Sequence, residues 1–201
     1  RKPRAMRGEG PSMNTPAHLL IGIAACARRD APGTGRAAAL GSLLPDLSLY
    51  LMAGVSLFVL QIPAERVFGE LYFSSDWQTV FAIDNSFIVW GLVLAAALSL
   101  RHTAAIAFAT AGLLHLVTDF PLHNDDARPH FWPVSDWVFE SPLSYWDSAH
   151  NAAAVAPFTL VAVLIASIVL WKRHSDWRLR GCVLLGCAAE LWVMRQWLLF
   201  F

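Results

Sequence analysis

The run Asn151–Trp171 carries no charged residue, and it constrains this chain more than any other stretch. A bilayer's hydrocarbon core is crossed by ~20 consecutive apolar residues. Four further runs approach that length: Ala37–Ile62 with Asp46 as its one charge, Trp77–Leu100 with Asp84 as its one charge, Thr103–Phe120, and Gly181–Phe201. A shorter apolar helix, about Pro16–Ala27, precedes them. A soluble all-helical protein with a large core is the competing reading. Composition argues against it: of 201 residues, 56% are hydrophobic and 15% charged, with a mean hydropathy of +0.48, whereas ordinary soluble domains are about 25% charged. The expectation is an all-α polytopic membrane bundle of about five to six helices with a Trp-rich extracytoplasmic loop.

Residues 14–201 read as one transmembrane helical domain, and residues 1–13 as a disordered basic tail outside it. Met13 reads as a natural start. "NTPAHLL" opens a helix well, because Thr15 can cap it and Pro16 suits its first turn. Lys and Arg mark cytoplasmic loops. Arg28, Arg29, Arg36, Arg101, Lys172, Arg173, Arg178 and Arg180 fall on one side, and only Arg66 and Arg128 on the other. This bias puts residues 63–76 and 121–146 outside the cytoplasm. If the first helix crosses fully, the basic tail lies outside too; a short helix that enters only part of the membrane avoids that conflict.

Cys26, Cys182 and Cys187 form no CxxC pair and suggest neither a disulfide framework nor a cysteine metal site. The net charge of zero gives no electrostatic footprint for nucleic acid.

The chemistry gathers in "HLVTDFPLH", His115 to His123. His115 and Asp119 are four residues apart and share a helix face. Pro121 disrupts the helix, leaving His123 just beyond its end. On the next helix, Ser144 and Asp147 have capping-box spacing, with Asp in place of the more usual Glu, and His150 lies three residues after Asp147. An aromatic belt with a hydrated acidic rim accounts for the loop's tryptophans. It does not account for the pairing of His with Asp. His115, Asp119, His123 and His150 are expected to converge at the outer mouth of the bundle, where imidazole and carboxylate suit Zn²⁺ and similar divalent ions.

Upstream, His18 begins the first helix, Asp46 follows the helix-breaking Pro45, and Asp84 sits inside an apolar helix. An intramembrane carboxylate costs several kcal/mol unless paired or neutralised, so it marks function by default. A protonated Asp bonded to a neighbouring helix is the bland alternative. Asp84 lies roughly 10 Å below Trp77 at ~1.5 Å per residue, and Asp46 lies nearer the bilayer middle. Asp46 therefore joins the cluster only if its helix bends at Pro45 or the cavity reaches down. Glu190 and Arg195 in the last helix read as a mutual pair.

"PAHLLIGIA", "GSLLPDLS" and "HLVTDFPLH" resemble the motifs of the membrane-bound, predicted metal-dependent hydrolases of the YdjM-like group. That family is held to be distantly similar to zinc-dependent phospholipase C, an all-α enzyme with zinc ions bound by His and Asp. The resemblance covers about residues 14–151. It implies that His18, Asp46, His115 and Asp119 are metal ligands, with His123 and His150 as further matches. Asp84, in "AIDNS", stands where the family's pattern places a His, and Asp can replace His as a ligand. This departure bears on metal number and activity. The resemblance also implies a bacterial inner-membrane protein.

The expected mechanism is hydrolysis. A metal held by His and Asp lowers the pKa of bound water toward neutrality and stabilises a developing oxyanion. Asp84, or an outer-loop acid such as Asp126, would act as general base. A site near the outer membrane surface and open to lipid makes a lipid or lipid-linked phosphoester or ester the expected substrate. Two other classes compete. A transporter would spread Asp46, Asp84, Asp119 and Glu190 across the membrane depth as a proton or cation path. A non-catalytic membrane partner would dock another protein through its Trp-rich loop.

Overall fold

The computed structural model describes residues 15–145 and 147–200, so the tail expected over residues 1–13 lies outside the described part. The described residues form helices and connecting turns without a strand. The helices are α1 (Thr15–Cys26), α2 (Thr34–Gly54), the short α3 (Ala64–Arg66), α4 (Ser75–Asp84), α5 (Phe87–Ser99), α6 (Thr103–Asp119), α7 (Ala152–Arg173) and α8 (Trp177–Phe200). Among the described residues, four stretches are long and apolar enough to cross a membrane: Thr34–Val59, Ser75–Ser99, Thr103–Leu122 and Ala152–Arg173. α6 is the central element, packed against α1, α2 and α5, while α7 packs on α1 and α8.

Close backbone approach builds this centre. A Cβ on Gly41 of α2 would overlap the backbone carbonyl of Phe108 on α6, and one on Gly112 of α6 would overlap the Trp90 ring of α5. Small residues at helix crossings let backbones approach closely and gain dispersion contacts where lipid offers no hydrophobic drive. α2 stays helical through Pro45 rather than breaking there. The ring of Pro45 crowds the carbonyl four residues earlier, which belongs to Gly41, a residue with no side chain of its own to accommodate. The helix loosens only later, in a wide turn at Val55–Val59.

The apolar run Trp77–Leu100 is not one helix. It is interrupted after Asp84, where Asn85 and Ser86 leave helical geometry. Both residues are buried, so every backbone group freed there needs a partner. Ser86 Oγ accepts from the amides of Ile88 and Val89, 3.1 and 3.2 Å away, and so caps α5. Its own proton goes to the Trp132 carbonyl. The Phe87 amide donates to the His130 carbonyl at 2.8 Å. Asn85 Nδ2 donates to the Phe81 and Pro45 carbonyls. The Trp90 indole N–H closes the break by donating to the Asp84 carbonyl at 2.7 Å.

Part of the loop after α6 therefore folds back against the broken helix, while residues 133–138 and the acids Asp125, Asp136 and Glu140 stay exposed. Its two ends are stitched together: the Ser141 amide donates to the His123 carbonyl at 2.8 Å, and the Tyr145 amide to the Leu122 carbonyl at 3.2 Å. Phe87, Phe120, His130, Phe131 and Phe139 pack as one aromatic cluster around it. At the opposite end, Arg29 donates to the Lys172 carbonyl, and Arg173 donates to the Ala24 and Ala27 carbonyls. Two of the basic loops thus meet at one end of the bundle.

In α8 the expected Glu190–Arg195 pair does not form. At ~100° per residue, five positions place the two side chains about 140° apart around the helix. Arg195 is exposed and lies over Trp192, while Glu190 is buried with Oε2 unpartnered among the described residues.

Gly41→Ala should destabilise the protein by about 1–3 kcal/mol through overpacking against rigid backbone. Gly91→Ala, which meets open space, should leave stability unchanged or raise it slightly. Thermal unfolding of the two variants in detergent checks the contrast.

Candidate metal centre

Asp119 ends α6 and is buried, with 4% of its surface exposed. Three imidazoles from different parts of the chain direct their Nε2 atoms at its carboxylate. His18 of α1 lies 2.8 Å from Oδ1. His115, one turn earlier on α6, and His123, just beyond the short turn Phe120–Leu122, each lie 3.2 Å from Oδ2. His18 and His115 stack with ring centroids 3.9 Å apart. His18, His115 and Asp119 each offer a ligand atom within 4.8 Å of the others, close enough together that they could hold a metal ion.

The far side of each ring is held as well. His115 Nδ1 lies 2.7 Å from the Ser42 carbonyl of α2. A carbonyl can only accept, so Nδ1 carries the proton. In the neutral ring, Nε2 then presents a lone pair. That Nε2 is buried and faces Asp119 Oδ2 at 3.2 Å and Asp46 Oδ1 at 3.6 Å, yet it makes no aligned hydrogen bond. A lone pair opposed to two carboxylates is repulsive unless a proton or a metal cation lies between them.

Thr118 Oγ1 donates to the His115 or Leu114 carbonyl, 2.8 and 3.0 Å away, which leaves it to accept from His18 Nδ1 at 3.2 Å. His123 Nδ1 lies 2.8 Å from Asp126 Oδ2. Burial alone would lower the His123 pKa, but the carboxylates of Asp126 and Asp119 outweigh it and hold the pKa at about 10. That pair of carboxylates thus favours a cation at His123. Metal-binding histidines characteristically anchor the second ring nitrogen on a carbonyl, hydroxyl or carboxylate, and all three rings do so here. The donor set of imidazole and carboxylate fits a divalent ion such as Zn²⁺.

The structure thus brings together His18, Asp46, His115, Asp119 and His123, with Asp126 behind His123. Asp46 reaches the group although α2 does not break at Pro45. It accepts from Thr15 Oγ1 at 3.2 Å, and Tyr50 shares that hydroxyl at 2.6 Å. Asp84 stands elsewhere, half-buried at the end of α4, with Ser48 and Arg128 as its polar neighbours. His150 also stands apart. Its Nδ1 bonds Asp147 at 2.6 Å in a short turn, and the pair is partly exposed. The Asp147 amide does donate to Ser144 Oγ, as the spacing suggested, but Asp147 caps only Ser148–His150. α7 begins afterwards, beyond the left-handed Asn151.

A cavity of about 360 Å³ opens beside His18 and Asp119, between α1, α6 and α7. Ile21, Val117, Pro121, Leu122, Phe158 and Ala162 make most of its wall apolar. Its outer edge is at the surface, since Val117 is 57% and Phe158 77% exposed. Residue spacing did not point to the anchoring groups of the rings. Thr118 lies inside the quoted motif but reads there as a helix residue. The Ser42 carbonyl has no signature in sequence at all.

The chain matches no family model, and no curated protein or solved structure is similar to it.

Asp126→Asn removes the charge behind His123 while keeping the side chain's shape. Zinc affinity, measured by chelator competition, should fall about 10–100-fold, as for other residues that orient a metal ligand. An unchanged affinity would mean that Asp126 plays no part in the centre.

Proposed function

We propose that this protein is an integral membrane, metal-dependent hydrolase that acts on a lipid or lipid-linked phosphoester or ester. The observation that carries the reading is the buried Nε2 of His115, which faces the carboxylates of Asp46 and Asp119 while Nδ1 is anchored on the Ser42 carbonyl. His18, His115 and Asp119 would hold the ion, with His123 and Asp46 within the same group. The Ser42 carbonyl, Thr118 and Asp126 orient the three rings. A divalent ion bound there supplies Lewis acidity and activation of water near neutral pH.

The chain's own residues supply the remainder. The apolar groove accepts acyl chain beside His18 and Asp119 and keeps bulk water from that side. The burial of Asp119 and His115 strengthens every charge interaction among them. Asp126 is committed to His123 Nδ1, which suits it to positioning. Asp84, at the helix break, is set apart from the imidazoles.

The motifs "PAHLLIGIA", "GSLLPDLS" and "HLVTDFPLH" support the same reading through their resemblance to the YdjM-like hydrolases. Their His18, Asp46, His115 and Asp119 are the residues that meet in space. Topology is proposed from charge. Two basic loops meet at one end of the bundle, and the end bearing the 121–147 loop, toward which the site lies, would face outward from a bacterial inner membrane.

Elemental mass spectrometry on detergent-purified protein tests the metal. About one equivalent or more of zinc or another transition metal is expected, and a His115→Ala/Asp119→Ala variant should lose it together with hydrolysis of short-chain lipid phosphoesters. Folded protein that stays metal-free after zinc is supplied would overturn the reading.

A further inference from the structure

Arg128 lies in the loop after α6 and is 7% exposed. One arm of its guanidinium is used: Nη2 donates to the Tyr72 hydroxyl at 3.0 Å. Its plane lies over the Phe81 ring, with Cζ 4.1 Å from the ring centroid, and 5.3 Å from that of Tyr72. The other arm, Nη1, is buried and has no hydrogen-bond partner among the described residues. Asp46, Asp84 and Asp126 all feel its charge. Among the described residues, none of them lies within ion-pair distance of it.

A purely structural arginine at this depth would be expected to pair with one of those carboxylates. A buried, unpaired charge is among the most costly arrangements a fold can contain. Here the packing withholds it from pairing. Tyr72 and Phe81 hold the fork in place, and Asp126 and Asp46 are near enough for their charges to act on it. A fixed, half-satisfied guanidinium is suited to an anion that arrives from outside the chain. Guanidinium matches a phosphate in two parallel hydrogen bonds and stays charged at every working pH.

We infer that Arg128 is the anion-recognition residue of this site and that the ligand it takes carries a phosphate group. The inference rests on the proposed hydrolase reading and narrows it, since a neutral carboxylic ester offers Arg128 no charge. The groove beside Phe158, which Arg128 does not line, would take acyl chain where the ligand is a lipid. Arg128 is here a binding residue, and Tyr72 positions it.

Calorimetric titration of the detergent-purified protein tests this with three probes: inorganic phosphate, dihexanoyl phosphatidate and neutral dihexanoylglycerol. Wild type, Arg128→Gln and Arg128→Lys are compared, with metal content recorded for each. Phosphate-bearing probes should bind wild type and bind Arg128→Gln at least tenfold more weakly. Arg128→Lys, which keeps the charge and loses the fork, should fall between. The neutral lipid should bind weakly and without regard to the substitution. Tighter binding of phosphatidate than of inorganic phosphate identifies a lipid headgroup as the source of the phosphate; equal binding identifies free phosphate. If Arg128→Gln fails to fold, the Lys variant gives the comparison. Equal affinity for the phosphate probes across all variants overturns the inference, as does equal wild-type binding of the neutral lipid. Metal content separates the two claims. Metal retained with Arg128-independent phosphate binding defeats this inference alone. Arg128-dependent phosphate binding in metal-free protein defeats the hydrolase reading alone.

Discussion

The buried carboxylate of Asp119 organises this molecule. Taken out of water, an ionised carboxylate must be surrounded by donors or cations. Here the surroundings come from α1, α6 and the segment beyond α6, through His18, His115 and His123. Each imidazole is in turn tied to something else. His115 draws on the α2 backbone, His18 on Thr118, and His123 on Asp126. One carboxylate thus fixes the placement of two helices and a loop relative to α6. The close backbone crossing at Gly41 lets α2 come near enough for the Ser42 carbonyl to take part.

The second constraint is the hydrogen-bond requirement of backbone inside an apolar bundle. A helix broken at Asn85 and Ser86 frees amides and carbonyls where no water replaces their partners. Ser86, Asn85 and Trp90 satisfy some of them, and the loop after α6 satisfies others through His130 and Trp132. The broken helix and the loop therefore depend on each other. That dependence also holds Arg128 in place, two residues before His130 and over the Phe81 ring of α4. The His–Asp cluster and Arg128 are thus positioned by separate devices that share one loop.

Much of this was legible in sequence, and the limits follow from physics. The spacing of His115 and Asp119 is local, and helix geometry alone puts them on one face. Hydropathy marks the four long apolar stretches because length and lack of charge suffice. The union of His18 with Asp119 spans about half of the chain, and no periodicity encodes it; only the motif resemblance pointed there. The break at Asn85 was hidden because Asn and Ser scarcely lower the mean hydropathy of an otherwise apolar run. Pro45 misled in the other direction. A proline interrupts one hydrogen bond, but packing on both sides carries the helix through it. His150 has the spacing of a ligand and spends it on Asp147, since a carboxylate three residues away satisfies an imidazole as well as an ion does. In sequence Arg128 is only one more positive charge in a loop, because burial and an unpartnered arm are properties of the fold.

The proposed chemistry makes sense of an otherwise uneconomical core. Asp46, Asp119 and Asp126 crowd one buried region, and Arg128, on which Asp126 and Asp46 act, makes no ion pair among the described residues. A fold selected for stability alone would let Arg128 neutralise one of these acids, or replace both with apolar side chains, which is often neutral or stabilising. Keeping the cation and the carboxylates apart retains strong fields of opposite sign within one small volume. Carboxylates and imidazole lone pairs attract a divalent ion, and a separated guanidinium attracts an anion. A phosphoester needs both at once, because its phosphoryl oxygens must be polarised by one positive centre and held by another. Internal pairing would cancel both attractions. The separation is therefore the arrangement expected where two charged guests, rather than the chain itself, complete the electrostatics.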